Sequence, residues 1–109
     1  IFIGQLWRLT SDGRLENQNG KWLYSSKRWH VPEKGKTGAI KDQATGKVLS
    51  LLSFMKVDLQ ARKDLFGKEQ CMWRRSRADS DGWFRLTITL DDVRYLCAER
   101  KSKLIITGL

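Results

Sequence analysis

The side chains able to do chemistry in this chain are few and poorly spaced for catalysis. There is one histidine, His30, and there are two cysteines, Cys71 and Cys97, against five tryptophans. Any Ser-His-Asp or Cys-His arrangement must use His30, which lies in a polar, basic stretch where a solvated side chain is expected. Cys71 stands beside the Trp73 motif and Cys97 inside an apolar run, so both read as buried free thiols. No Cys-x-x-Cys or Cys/His cluster offers a metal site. Asp79, Asp81, Asp91 and Asp92 fall in turn-like segments, where carboxylates cap backbone more often than they catalyse. The expectation is a protein that is not an enzyme and needs no cofactor or metal.

What remains is positive charge next to aromatic rings. The chain carries 21 basic and 12 acidic side chains, a formal charge of +9, which favours acidic partners. Lys27, Arg28, Trp29, His30, Lys34 and Lys36 gather in one stretch. Arg62, Lys63 and Lys68 precede Trp73, and Arg74, Arg75 and Arg77 follow it. Basic heads among Trp rings suit an anionic membrane surface or an acidic protein face. Single-stranded nucleic acid, which stacks its bases on such rings, is the less favoured alternative.

The elements that must carry these groups are short strands. Apolar and β-branched runs alternate with polar residues and are punctuated by Asp-Gly, Asn-Gly and Thr-Gly turns. No segment holds a helical period for helix length. Clear strands are expected at residues 1–9, 47–52, 54–59, 83–90, 93–98 and 104–107. About ten such strands at regular spacing indicate an all-β barrel or sandwich. With 109 residues, 40% of them hydrophobic, the chain reads as a single domain over 1–109.

One pattern occurs twice. Gln5-Leu6-Trp7 is followed by Asp12-Gly13 and by Lys21-Trp22-Leu23. Gln70-Cys71-Met72-Trp73 is followed by Asp81-Gly82 and by Arg94-Tyr95-Leu96. Recurrence of this kind marks a repeat-built fold, with Trp7 and Trp73 as structural core anchors at equivalent positions and Gln5 beneath the first of them. Thr45-Gly46-Lys47-Val48-Leu49 resembles the opening strand of a further lobe.

On these residues the chain resembles the ricin B-type, Gln-x-Trp β-trefoil family. The resemblance implies an all-β, β-trefoil-like fold. The two Trp motifs stand further apart than one lobe of about 40 residues requires. An inserted basic loop around 25–40 is expected to absorb the excess, with Trp29 exposed in it and outside the repeat. The chain is also short for three full lobes, so one lobe is incomplete or abbreviated. Unpaired edges at Ile1-Phe2-Ile3 and Leu104-Ile105-Ile106 would then favour association with a second copy.

Sugar binding is the trade the resemblance implies. Carried over by position, the hydroxyl-binding carboxylate falls near Ser53, the aromatic platform falls in Gln60-Ala61-Arg62, and Glu69 stands where Asn is usual. Only Gln70 survives as a lectin-type residue, so the carbohydrate site is degraded and a lectin is the alternative rather than the main reading. The charged, cysteine-poor style is similar to ricin-type domains inside chorein-type bridge-like lipid-transfer proteins. The expectation is a non-catalytic binding module of a larger intracellular protein, cytoplasmic and peripheral at membranes. It would engage a protein partner or anionic lipid through Lys27, Arg28, Trp29, His30, Lys34 and Lys36.

Overall fold

A computed structural model describes residues 3–53, 56–62, 68–79, 81–90, 92–98 and 104–108. The strands are β1 (Trp7–Leu9), β2 (Leu15–Asn17), β3 (Trp29–His30), β4 (Thr37–Gly38), β5 (Lys41–Asp42), β6 (Val48–Ser53), β7 (Lys56–Gln60), β8 (Trp73–Arg75), β9 (Leu86–Thr89), β10 (Val93–Ala98) and β11 (Leu104–Gly108). Short 3-10 turns at Ile3–Gln5 and Lys68–Cys71 precede β1 and β8. The described residues contain no α-helix. The protein is all-β, as the alternation predicts. Its strands form three antiparallel sheets, in the orders β1-β2, β11-β10-β9-β8-β4 and β3-β5-β6-β7.

Alternation sets which face is buried. Leu15 and Asn17 point inward with Glu16 between them, and Leu86 and Ile88 point inward between Thr87 and Thr89. Two hairpins close through the glycines that the sequence placed in turns. Gly20 and Gly46 adopt φ of 81° and 75°, a left-handed conformation that costs other residues roughly 1–2 kcal/mol. Their N–H groups donate to the carbonyls of Asn17 and Asp42, at 2.8 and 2.9 Å. The Asn17 and Asp42 side chains, both buried, accept from the N–H two residues on.

Three tryptophans organise the core. Trp7, Trp29 and Trp73 are 0%, 1% and 0% exposed. Each donates its indole N–H to a leucine carbonyl at 2.9 Å: Trp7 to Leu96, Trp29 to Leu23 and Trp73 to Leu49. The backbones follow the same rule. Trp7 pairs with Phe84, Trp73 with Gly38, and the Trp29 N–H donates to Gly13. Phe84, Gly38 and Gly13 each stand two residues before a buried apolar residue, Leu86, Ile40 and Leu15. The chain therefore contains three copies of one unit, Trp7 to Leu23, Trp29 to Leu49 and Trp73 to Leu96. Each Trp is tied to the Leu that ends the preceding copy, in a closed ring.

This corrects the reading of residues 25–40. The segment is not an insertion around an exposed Trp: it holds β3 and β4, and Trp29 is the anchor of the middle copy. Trp7 and Trp73 are equivalent but not adjacent in the repeat, which is why their spacing exceeds one unit. The edge expectation is also corrected at one end. Leu104–Gly108 pairs with β10 inside the same chain, through contacts such as Leu96↔Ile106. The expected contact segment at Ile1-Phe2 lies outside the described residues.

The copies differ after their closing leucine. Leu49 lies on β6, whose outer edge is covered by β7. Leu96 lies on β10, covered by β11. After Leu23 no hairpin follows, and the chain turns directly to Trp29 through a Lys27 N–H to Tyr24 carbonyl bond of 2.8 Å.

Candidate functional site

The predicted basic site divides in two. Lys27 and Arg28 are both taken by carboxylates, Lys27 by a buried one and Arg28 by an exposed one. The Lys27 ammonium lies 3.2 Å from the Asp42 carboxylate, whose side chain is fully buried, and Arg28 lies 3.6 Å from Asp12. Asp42 also accepts from the Thr45 hydroxyl at 2.6 Å. That hydrogen bond, more than the Lys27 charge, holds its carboxyl below the ordinary value, against the opposing effect of burial. Trp29 is covered by the Tyr24 ring, with centroids 6.0 Å apart. It offers no aromatic surface, because its N–H and ring are both spent on the core. His30 is exposed, on β3, where its partner in the ladder is Lys41.

Lys34 and Lys36 are exposed and belong to a different cluster. The turn carrying them lies along β8: the Gly35 N–H donates to the Arg75 carbonyl at 2.8 Å, and the Arg75 N–H to the Lys36 carbonyl at 2.9 Å. Thr37 faces Arg74 across the ladder. A methyl group built on Gly35 would lie 3.9 Å from the Arg77 side chain. The backbones of residues 34–37 and 74–75, two basic groups far apart in sequence, therefore run side by side, and Lys34, Lys36, Arg74 and Arg77 are all exposed. Among the described residues none of these four has an ion-pair partner. Arg75, between them, is held for structure: its guanidinium lies over the Phe84 ring at 4.1 Å and donates to the Pro32 carbonyl at 3.2 Å.

Two half-buried tryptophans carry arginines on their faces. Arg8 lies 4.3 Å from the Trp83 ring centre and Arg14 4.2 Å from that of Trp22. Such stacking is worth about 0.5–1 kcal/mol at exposed sites.

The lectin-type position gains no support. Gln70 is half-buried in the turn before β8 and Glu69 beside it is exposed. Gln60 and Ala61 are half-buried and Arg62 is exposed, and none of them supplies a ring. Among the described residues no group of three or more His, Cys, Asp or Glu side chains is arranged to hold a metal, and no helix is long and apolar enough to cross a membrane.

Sequence reasoning missed one feature altogether. A concavity of about 700 Å³ opens where the first copy lacks its hairpin. Lys21, Trp22, Tyr24, Val57, Asp58 and Ala98 line it. Tyr24 takes a φ of 48°, the one non-glycine positive φ recorded among the described residues. Its hydroxyl donates to Asp58 Oδ1 at 2.9 Å, across the concavity to β7. Burial, followed by that hydrogen bond and the Asp58 charge, pushes the phenol up to about 12. The signal in the sequence was the short run between Leu23 and Trp29, legible only once Trp29 is recognised as a repeat anchor.

No protein family, characterised protein or solved structure matches this chain.

Proposed function

We propose that this chain is a non-catalytic binding module of β-trefoil, ricin B-like type that docks on an anionic surface through Lys34, Lys36, Arg74 and Arg77. The trefoil reading rests on the ring of three Trp-to-Leu hydrogen bonds and on the cyclic backbone pairing that accompanies it. The docking reading rests on one observation above the rest: two basic segments brought side by side, with Lys34, Lys36, Arg74 and Arg77 exposed and none of them in an ion pair among the described residues, although Glu33 stands beside Lys34. Uncompensated charge of one sign raises the local concentration of acidic partners and speeds their association. The partner is an acidic protein face or a membrane rich in anionic lipid. With Trp29 in the core, attachment depends on charge without the aromatic anchor that the sequence suggested.

The test is a quadruple charge reversal, Lys34→Glu, Lys36→Glu, Arg74→Glu and Arg77→Glu. Its binding is compared with that of the unaltered protein on phosphatidylserine vesicles, on neutral vesicles and on immobilised polyglutamate. The unaltered protein is expected to bind at least one anionic probe, with affinity falling steeply as salt rises, because exposed charges are screened beyond about 8 Å at physiological ionic strength. The variant is expected to lose that binding while melting normally. Equal binding by both proteins, or binding insensitive to salt, would remove this function.

A further inference from the structure

The three copies make a comparison possible within one molecule. In the second copy, Val48 sits one residue before the closing Leu49 and faces Gln60 of β7. In the third, Tyr95 sits one residue before Leu96 and faces Thr107 of β11. In the first, the equivalent residue is Trp22. It bridges Glu16 on its inner side. The bonds flanking that bridge, Leu23 N–H to Leu15 and Asn17 N–H to Lys21, leave the Trp22 N–H and carbonyl directed away from β2. Among the described residues neither group has a hydrogen-bond partner. An unpaired strand edge is a template for another strand.

The space beside that edge is the 700 Å³ concavity. Its far wall is Val57 and Asp58 of β7. That wall is closed to strand addition at one point, because the Leu59 N–H is taken by Asp58 Oδ1 at 2.8 Å. On the near wall the open groups are the N–H and carbonyl of Trp22, since the chain turns away at Tyr24, whose carbonyl accepts from the Lys27 N–H. We infer that this cleft receives an extended, acidic segment of a partner protein, which pairs with the main chain of Trp22 where Gln60 of β7 and Thr107 of β11 face Val48 and Tyr95 in the other two copies. Main-chain hydrogen bonds give such complexes their affinity, and alternate side chains their selectivity.

Charge supplies the selectivity here. Lys21 lines the cleft and Arg14 lies against Trp22 beside it. Arg14 is shared with Asp12 at 3.1 Å, whereas Lys21 has no ion-pair partner among the described residues. The one carboxylate in the cleft, Asp58, already accepts from Tyr24 and Leu59. Inward-facing side chains of the added strand would meet Val57, Ala98 and the Trp22 ring, and outward-facing acidic ones would meet Lys21. This surface is separate from the Lys34–Arg77 face, so either assignment can fail alone.

The experiment is amide hydrogen exchange read by NMR on the intact chain. The probe is an octapeptide alternating Glu and Val, with a Lys-Val octapeptide as its opposite. At saturating Glu-Val peptide the Trp22 amide is expected to exchange at least about ten-fold more slowly, the mark of a new ladder bond. Lys21→Glu should weaken the peptide about five-fold or more, in line with the loss of one exposed charge pair. Lys47→Glu, on a distant exposed turn, should not. Unchanged exchange at Trp22 with millimolar peptide overturns the proposal, as does equal protection by the Lys-Val peptide. Protection of Trp22 in the free protein, together with a dimer by light scattering, would give the cleft to a second copy and also overturn it. If instead the quadruple reversal of the basic face leaves Trp22 protection intact, the cleft stands whatever becomes of that face.

Discussion

The indole N–H of Trp7 donates to the carbonyl of Leu96 at 2.9 Å, a contact between residues 89 positions apart. It joins the first copy of the repeat to the last, and the Trp7–Phe84 backbone pair beside it does the same at 2.8 Å in both directions. The ring of three copies therefore closes only when almost the whole chain is in place. Contacts of such separation make folding slower than local ones would.

Trp29 should behave as its two counterparts do. Trp29→Ala is expected to lower stability by about 3–5 kcal/mol, the range for a buried aromatic, as are Trp7→Ala and Trp73→Ala. Trp29→Phe keeps most of the apolar burial but leaves the Leu23 carbonyl unpaired, and should cost about 1–3 kcal/mol. Denaturant melts of the set decide it. A Trp29→Ala protein as stable as the unaltered one would return Trp29 to the surface.

Asp42 should make the fold sensitive to acid. Its carboxyl titrates lower in the folded protein than in the unfolded chain, because Thr45, Lys27 and the Ala44 N–H favour the charged form. The stabilisation is therefore present above the unfolded value of about 3.9 and is lost as the pH falls through the lower folded value. Asp42→Asn is expected to cost about 1–3 kcal/mol at neutral pH. The gap to the unaltered protein should narrow below about pH 4. Thermal melts across that range give the comparison; a gap constant with pH would show that the charge of Asp42 contributes nothing.

Tyr24 should act at the opposite end of the pH scale. Its phenol is raised to about 12 in the folded protein, chiefly by burial and then by Asp58. A raised value means that the stabilisation is complete below the unfolded value of about 10 and is lost as the pH climbs through the folded one. Ultraviolet titration of the native protein should show a phenol ionising near 12 that Tyr24→Phe lacks. The same substitution removes the bond to Asp58 and should cost about 0.5–1.5 kcal/mol below pH 10. A native titration complete by pH 10 would contradict the half-buried Tyr24–Asp58 hydrogen bond.

Lys34→Glu and Arg77→Glu should barely touch the fold. Both side chains are exposed and neither has an ion-pair partner among the described residues, so each change should stay within about 0.5 kcal/mol of the starting stability. Lys27→Glu is different. It places a carboxylate beside the buried Asp42 carboxylate, 3.2 Å from where the ammonium now lies, and should destabilise by about 3–5 kcal/mol. Equal melting temperatures for Lys27→Glu and Lys34→Glu would mean that the basic stretch is one solvated loop after all.

By itself the sequence determined the strand class, the turns and two of the three anchors. Alternation over residues such as Leu86–Thr89 and glycines such as Gly20 and Gly46 act locally, and local patterns survive in one dimension. That Gln60, Ala61 and Arg62 supply no ring was also legible, because it is a matter of residue type. The role of Trp29 was decided only by tertiary structure. Its flanking residues, Lys27-Arg28 and His30, are basic, and basic flanks look alike beside a buried ring and an exposed one. What buries it is the Leu23 carbonyl, the Tyr24 ring and the Gly13 backbone. Tertiary structure likewise separated Lys27 from Lys34 and joined Lys36 to Arg74, through a β4–β8 pairing that nothing in either short segment announces. The cleft beside Trp22 exists because one copy lacks what the other two have, and an absent hairpin becomes visible only when all three copies are brought into one ring.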